Sequence, residues 1–178
     1  MKVLLVGPQG SGKSTQAKLL AKHFDIPTVE TGEFFRGLSK NKTAIGKKVK
    51  ELLDDIEEKI RLNLVGKRQK IIGFSVSEAS ANLFAIFLHK KNLIEPGFNI
   101  NHSFFASQKR AENTFPHDFK NKKEIILDLV RIEELRNRLC YGREKEMNIV
   151  NSAIENLFLI KQVLDNEINK PDNRKNEK

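Results

Sequence analysis

Gly7-Pro8-Gln9-Gly10-Ser11-Gly12-Lys13-Ser14, directly after the apolar run Val3-Leu4-Leu5-Val6, constrains this chain more than any other stretch. It fits G-x-x-x-x-G-K-[ST], the phosphate-binding loop, whose glycines let backbone N–H groups turn inward around phosphate oxygens. The next helix adds its positive N-terminal end to the same anion. The pattern gives Lys13 the β- and γ-phosphates of a nucleotide and Ser14 the Mg²⁺. Its context agrees: Lys2–Val6 reads as a short buried strand, and Thr15–His23 as a helix that buries Ala17, Leu20, Ala21 and Phe24 at helical spacing.

Such a loop normally sits at the carboxyl end of a parallel sheet, whose strands read as apolar runs. The rest of the chain reads mainly as helix. Asp25-Ile26-Pro27 breaks the first helix, and Thr31-Gly32-Glu33 opens a short second one through Phe34, Phe35 and Leu38. From Thr43 a stripe of Ile45, Val49, Leu52, Leu53, Ile56 and Ile60 predicts another. Ile71–Phe74 fits either a short strand or helix, and Ser77 suits the cap of a helix ending near Lys91. Residues 95–121, with Pro96, Gly97 and Pro116, read as irregular. Lys122–Tyr141 is predicted helical, stopped by Gly142, and Glu146–Ile168 forms the last helix. The polar tail 169–178 reads as disordered. The expected fold is therefore an α/β strand-loop-helix segment followed by a mostly α-helical bundle, helix-dominated throughout.

With 178 residues the chain suits one ordinary domain or two small ones. No uninterrupted apolar run approaches the ~18 residues of a membrane helix. The strand begins at once, which leaves no room for a signal peptide, and a lone Cys140 excludes an intrachain disulfide; a reducing cytoplasm is the expected setting. The net charge is +9, of which residues 1–50, with ten Lys/Arg and three Asp/Glu, supply +7. That bias suits nucleotide phosphates or RNA, and equally a solvated lysine-rich face.

Residues 1–50 resemble the N-terminus of adenylate kinases and related nucleoside monophosphate kinases. Lys13-Ser14-Thr15-Gln16-Ala17 continues as that family does, and Ile26-Pro27 followed by Thr31-Gly32-Glu33-Phe34-Phe35-Arg36 looks like its monophosphate-binding segment. Gly46 stands where the family has a leucine-glycine step. The resemblance implies ATP and Mg²⁺ held by Gly7, Gly10, Ser11, Gly12, Lys13, Ser14 and Thr15. It also implies AMP contacts from Thr31 and Arg36, with Lys13 and Arg36 serving phosphoryl transfer. The family's Asp-Gly-Phe-Pro-Arg segment is absent: Gly73-Phe74-Ser75-Val76 begins similarly but has no arginine. No lid with paired arginines follows. Ile125-Ile126-Leu127-Asp128 is the alternative later strand, although its spacing is helical.

Residues from about 52 to 168 resemble a HEPN domain, a helical bundle frequent in RNA-targeting proteins. The pattern is a helix with small residues and aromatics, a loop with His102, a helix ending Leu135-Arg136-Asn137-Arg138-Leu139-Cys140-Tyr141-Gly142, and a long final helix. Active members place an Arg a few positions before a His for metal-independent RNA cleavage. Arg136 and Asn137 match, and Tyr141 occupies the histidine position. The resemblance implies RNA binding or cleavage at Arg136, Asn137 and Tyr141, and dimerisation through the helical part. The alternative is a solvent-facing helix end. His102 and His117 read as ordinary loop residues, and Glu133 and Glu134 point in different directions on one helix. The expected division is thus a nucleotide-binding segment 1–50, a helical bundle 51–168 and a tail 169–178. A complete divergent kinase, or a join of two unrelated pieces without joint function, are the other readings.

Overall fold

The computed structural model describes Leu5 and residues 12–24, 44–95 and 97–169. Among them every regular element is helical: α1 (Lys13–Phe24), α2 (Ala44–Arg61), α3 (Gln69–Lys90), α4 (Gln108–Thr114), α5 (Lys122–Cys140) and α6 (Met147–Asn169). Short 3₁₀ turns at Gly66–Arg68 and His102–Phe105 lie between them. The expected strand Lys2–Val6, the break at Asp25–Pro27, the helix through Leu38 and the tail after Asn169 fall outside the described residues, apart from Leu5.

α3 is the centre of the body and packs against α2, α5 and α6. From Ser75 to Leu88 all its residues are buried except Glu78, which Lys48 of α2 reaches at 2.9 Å. A helix apolar all round belongs inside a body. By length and composition α3 with its preceding turn would also suffice to cross a membrane, but most of it is buried by its neighbours. α2 instead is strongly amphipathic, burying Val49, Leu53 and Ile56. Asn63 and Asn92 close α2 and α3 in the left-handed conformation, with φ of 54° and 53°. After each, an amide bonds back five residues, Leu64 to Lys59 at 2.8 Å and Leu93 to Leu88 at 2.9 Å, which satisfies the helix's last carbonyls.

Of the readings left open, the helical one holds at Ile71–Phe74, inside α3, and the alternative strand at Ile125–Asp128 falls to the helix predicted over Lys122–Tyr141, because each has neighbours at helical spacing that reach the core. Other expectations are corrected. Ser77 is not a cap: α3 begins eight residues earlier, at Gln69, and Ser77 is buried mid-helix. Residues 95–121 are not irregular throughout, since they hold the turn His102–Phe105 and α4. Phenylalanines order that segment. Phe105 and Phe115 stack at 5.8 Å, and Phe115 meets Phe84 of α3 edge-on at 5.2 Å. Phe119 packs against Phe84 and Phe87. Each such pair adds about 0.5–1.5 kcal/mol beyond its buried area.

α5 ends at Cys140, one residue before the expected Tyr141, and Gly142 turns the chain with φ 84°. The following loop is pinned to α3 by buried Gln69. Its amide nitrogen donates to the Lys145 carbonyl at 2.8 Å, and its oxygen accepts from the Lys145 N–H at 2.7 Å. This fixes where α5 stops and therefore where Tyr141 stands.

Candidate functional site

Two places carry the predicted site residues. The first is the start of α1. Gly12 has φ 74°, a conformation open to glycine and strained for other residues, and its carbonyl accepts from the Gln16 N–H at 3.0 Å. Gly12 is thus the residue from which α1 springs, and Lys13 is the first helical position. The first amides of a helix have no acceptor within it, and no acidic side chain occupies this first turn. These features fit a nucleotide phosphate. Ser14 is the second helical residue and Thr15 is exposed. Gly7, Gly10, Ser11, Thr31 and Arg36 lie outside the described residues.

The second place is the C-terminal half of α5, where Arg136, Asn137 and Tyr141 come together. Arg136 Nη1 donates to Asn137 Oδ1 at 3.0 Å, and the guanidinium lies 5.8 Å from the centre of the Tyr141 ring, within cation–π range. Arg136 does not face solvent: its side chain is 13% exposed, and its Nε is buried with no acceptor among the described residues. Tyr141 is 63% exposed.

Beneath them lies a carboxylate that sequence reasoning did not place in a site. Glu133 is buried, while Glu134 faces outward. Glu133 Oε2 accepts from the Ser77 hydroxyl at 2.9 Å. Its Oε1 lies 3.0 Å from His102 Nδ1 and 3.5 Å from Arg136 Nη1. His102 opens a 3₁₀ turn and is tied by this contact to α5. Asn101 caps its turn, accepting from the Ser103 N–H at 2.9 Å, and Phe104 and Phe105 anchor that turn in the aromatic cluster. Cys140 borders the group, donating to the Lys70 carbonyl at 3.4 Å. Burial pushes its thiol pKa up; Arg136 and Lys70 pull it down and Glu133 adds to the rise. The legible signal was spacing: Leu129, Glu133, Arg136 and Cys140 share one helical face, so two charged groups occupy a line that starts in the core.

A groove of about 700 Å³ runs along another face of α5, lined by Arg131, Glu134, Arg138, Lys145 and Glu146 among others. Its charges are of both signs.

Comparison with known proteins takes in most of the chain. The AAA domain family matches residues 6–157. Adenylate kinase of Buchnera aphidicola subsp. Schizaphis graminum is 31% identical over 147 residues, covering 80% of this chain and 58% of that enzyme. Adenylate kinase of Bifidobacterium longum is 61% identical over 46 residues, 26% of this chain and 25% of that enzyme. That of Thermoanaerobacter sp. strain X514 is 34% identical over 105 residues, 52% of this chain and 48% of the enzyme. The chain therefore spans between a quarter and three-fifths of these relatives, and identity is highest over the shortest stretch. No solved structure gives a significant match. With a glycine-to-helix step of the phosphate-loop type at residues 12–13 and a match covering most of its length, the chain belongs to the AAA domain family and is a P-loop protein related to adenylate kinases.

Proposed function

We propose that the chain binds ATP with Mg²⁺ through residues 7–15, with Lys13 on the β- and γ-phosphates and Ser14 toward the metal, and that Thr31 and Arg36 receive AMP. The observation that carries this is the start of α1: a left-handed Gly12, a lysine at the first helical position and no acidic side chain in the first turn. Magnesium, when bound, neutralises phosphate charge during phosphoryl transfer. The chain's own part is to cradle and orient: backbone amides around the phosphates, the Lys13 ammonium beside them, and the Arg36 fork on the monophosphate. The related adenylate kinases, one of which aligns over 80% of the chain, favour this reading over the alternative below. Titration of ATP·Mg²⁺ tests it. The expected result is binding that weakens at least tenfold in Lys13→Ala, accompanied by phosphorylation of added AMP. Binding indifferent to Lys13→Ala overturns the cradle; binding without AMP phosphorylation overturns the kinase.

A second reading concerns the helical body, the HEPN-like region 51–168. Arg136, Asn137 and Tyr141 converge at one end of α5, and the exposed ring beside a guanidinium suits a nucleobase above a phosphate. We infer RNA binding there, measured as single-stranded RNA affinity lost on Arg136→Ala.

A further inference from the structure

We propose that the end of the helical body where α2 closes, α3 opens and α5 meets α6 is a docking surface for an anionic lipid membrane. The proposal rests on neither reading above.

Packing brings this end together. Cys140, the last residue of α5, donates to the Lys70 carbonyl in the first turn of α3 at 3.4 Å. Lys145 is held by Gln69, and a Cβ built on Gly66 would lie 3.1 Å from the sulfur of Met147, where α6 begins. Leu62 directly follows the last residue of α2. Leu62, Ile71, Tyr141 and Met147 therefore stand at one end of the body, and Phe74 lies three residues after Ile71 on the same face of α3. All five are between 39% and 63% exposed. Among the described residues from 44 onward, the other large apolar side chains so exposed are Phe98, Leu127 and Leu159. An exposed apolar residue standing singly needs no explanation, whereas five at one end mark a surface that something else covers.

Charge says what kind of surface that is. Residues 61–77 contain Arg61, Lys67, Arg68 and Lys70 and no Asp or Glu. Lys67, Arg68 and Lys70 are exposed, and none of the three is in an ion pair among the described residues. Cations further back on α2 are neutralised instead: Lys48 reaches Glu78, and Lys59 reaches Asp55 and Glu58. The loop 143–146 adds two cations and two acids and is neutral. The apolar end is thus rimmed by unpaired positive charge, which calls for a negative partner.

An anionic bilayer surface takes both kinds of side chain at once. The apolar groups enter the boundary between headgroups and acyl chains, while the long stems of Lys67, Arg68 and Lys70 carry their charges to lipid phosphates in the same plane. Each cation close to an anionic leaflet adds to the attraction, which dies away within a Debye length. Nucleic acid fits less well, because Leu62, Ile71 and Met147 can neither stack on a base nor bond to its edge. Helical peptides seat in grooves. The groove that reaches this end at Lys145 and Glu146 carries charges of both signs, so it offers an acidic peptide no preference.

The chain carries its own reporter: it has one tyrosine, Tyr141, and no tryptophan, so its intrinsic fluorescence comes from this end. The test mixes the full chain with vesicles of phosphatidylcholine alone and with vesicles of equal parts phosphatidylcholine and phosphatidylglycerol. It is expected to sediment with the anionic vesicles only, less so as salt is added, and Tyr141 fluorescence is quenched when the acyl chains are brominated. Lys67→Glu, Arg68→Glu and Lys70→Glu together are expected to weaken binding by at least about 100-fold, about fivefold for each cation lost. Ile71→Ser with Phe74→Ser keeps the charge and weakens binding about tenfold. Lys109→Glu with Arg110→Glu, a charge reversal on α4, leaves it unchanged, and every variant keeps the parent's melting profile. Equal binding to phosphatidylcholine alone, no binding to either vesicle, or binding without quenching of Tyr141 overturns the proposal. Indifference to Ile71→Ser with Phe74→Ser, or a comparable loss on Lys109→Glu with Arg110→Glu, reduces the effect to net charge and also overturns it. Poly-glutamate bound through Ile71 and Phe74 while anionic vesicles are ignored gives the end to an acidic polypeptide and overturns the lipid assignment.

Discussion

Gly73 shows how a single residue sets the distance between two helices. A Cβ built there would lie 2.8 Å from the Cβ of Leu139 and 3.3 Å from the Cys140 sulfur. The first of these is a contact that real Cβ atoms essentially never make, and Leu139 Cβ cannot rotate away. α3 and α5 therefore approach as closely as they do because position 73 has no side chain. Gly73→Ala forces the helices apart at the turn that carries Arg136 and Tyr141. The expected cost is about 1–3 kcal/mol, seen as a lower urea midpoint with an unchanged slope. An unchanged midpoint would show that α5 yields freely there. In the sequence Gly73 reads as the start of a kinase-like Gly-Phe-Ser-Val segment, because its role depends on a residue 66 positions later. Glu133 was legible only in part for a related reason. Its place on the Leu129 line of α5 can be read from spacing, whereas its partners Ser77 and His102 come from elements brought in by the fold.

At the scale of elements, the helices with a clear stripe or an apolar run could be read from sequence, and the segment 97–121 could not. Proline and glycine there argue for loop, yet Phe98, Phe104, Phe105, Phe115 and Phe119 are far more apolar surface than a solvated loop carries. Phe105, Phe115 and Phe119 pack on Phe84 or Phe87 of α3, Phe98 and Phe104 pack on Phe115, and the turn His102–Phe105 is carried with them. Phe115 is the keystone, in contact with Phe84, Phe98, Phe104 and Phe105 and 1% exposed. Phe115→Ala is expected to cost about 3–5 kcal/mol. The loss should be local first: amides of residues 101–115 exchange faster with deuterium, those of α2 stay protected, and the His102 ring signals move as the imidazole leaves Glu133. Uniform loss of protection across α2 and residues 101–115 together would mean that the segment is not a separate cooperative unit.

For the whole molecule, the question is which part of the chain the core needs. Every buried apolar residue among those described lies between Val49 and Leu164, and they form one cluster. None of the described side chains of α1 is buried, and its Leu19 and Phe24 are 58% and 44% exposed. α2 runs from Ala44 to Arg61 and so crosses residue 50 as one continuous helix that lays Val49 and Leu53 on the same core. A fragment meant to keep this helix whole therefore starts no later than Ala44. This could not be read from motifs, since the family match runs from residue 6 through residue 157 and passes over that point without a break. A fragment of residues 44–169 is expected to unfold in urea in one cooperative step. Its stability should lie within about 0.5 kcal/mol of the same transition in the full chain, because every buried apolar residue among those described lies at Val49 or beyond. Because it lacks Gly12 and Lys13, ATP·Mg²⁺ should leave its midpoint unmoved. If the phosphate loop works, the nucleotide should instead stabilise structure at the N-terminal end of the full chain by the amount that binding linkage requires, about 2.7 kcal/mol at a hundredfold excess over Kd. A fragment that fails to fold, or melts without cooperativity, would show that residues before Ala44 complete the core, and the phosphate loop and the helical body would then be parts of one folding unit.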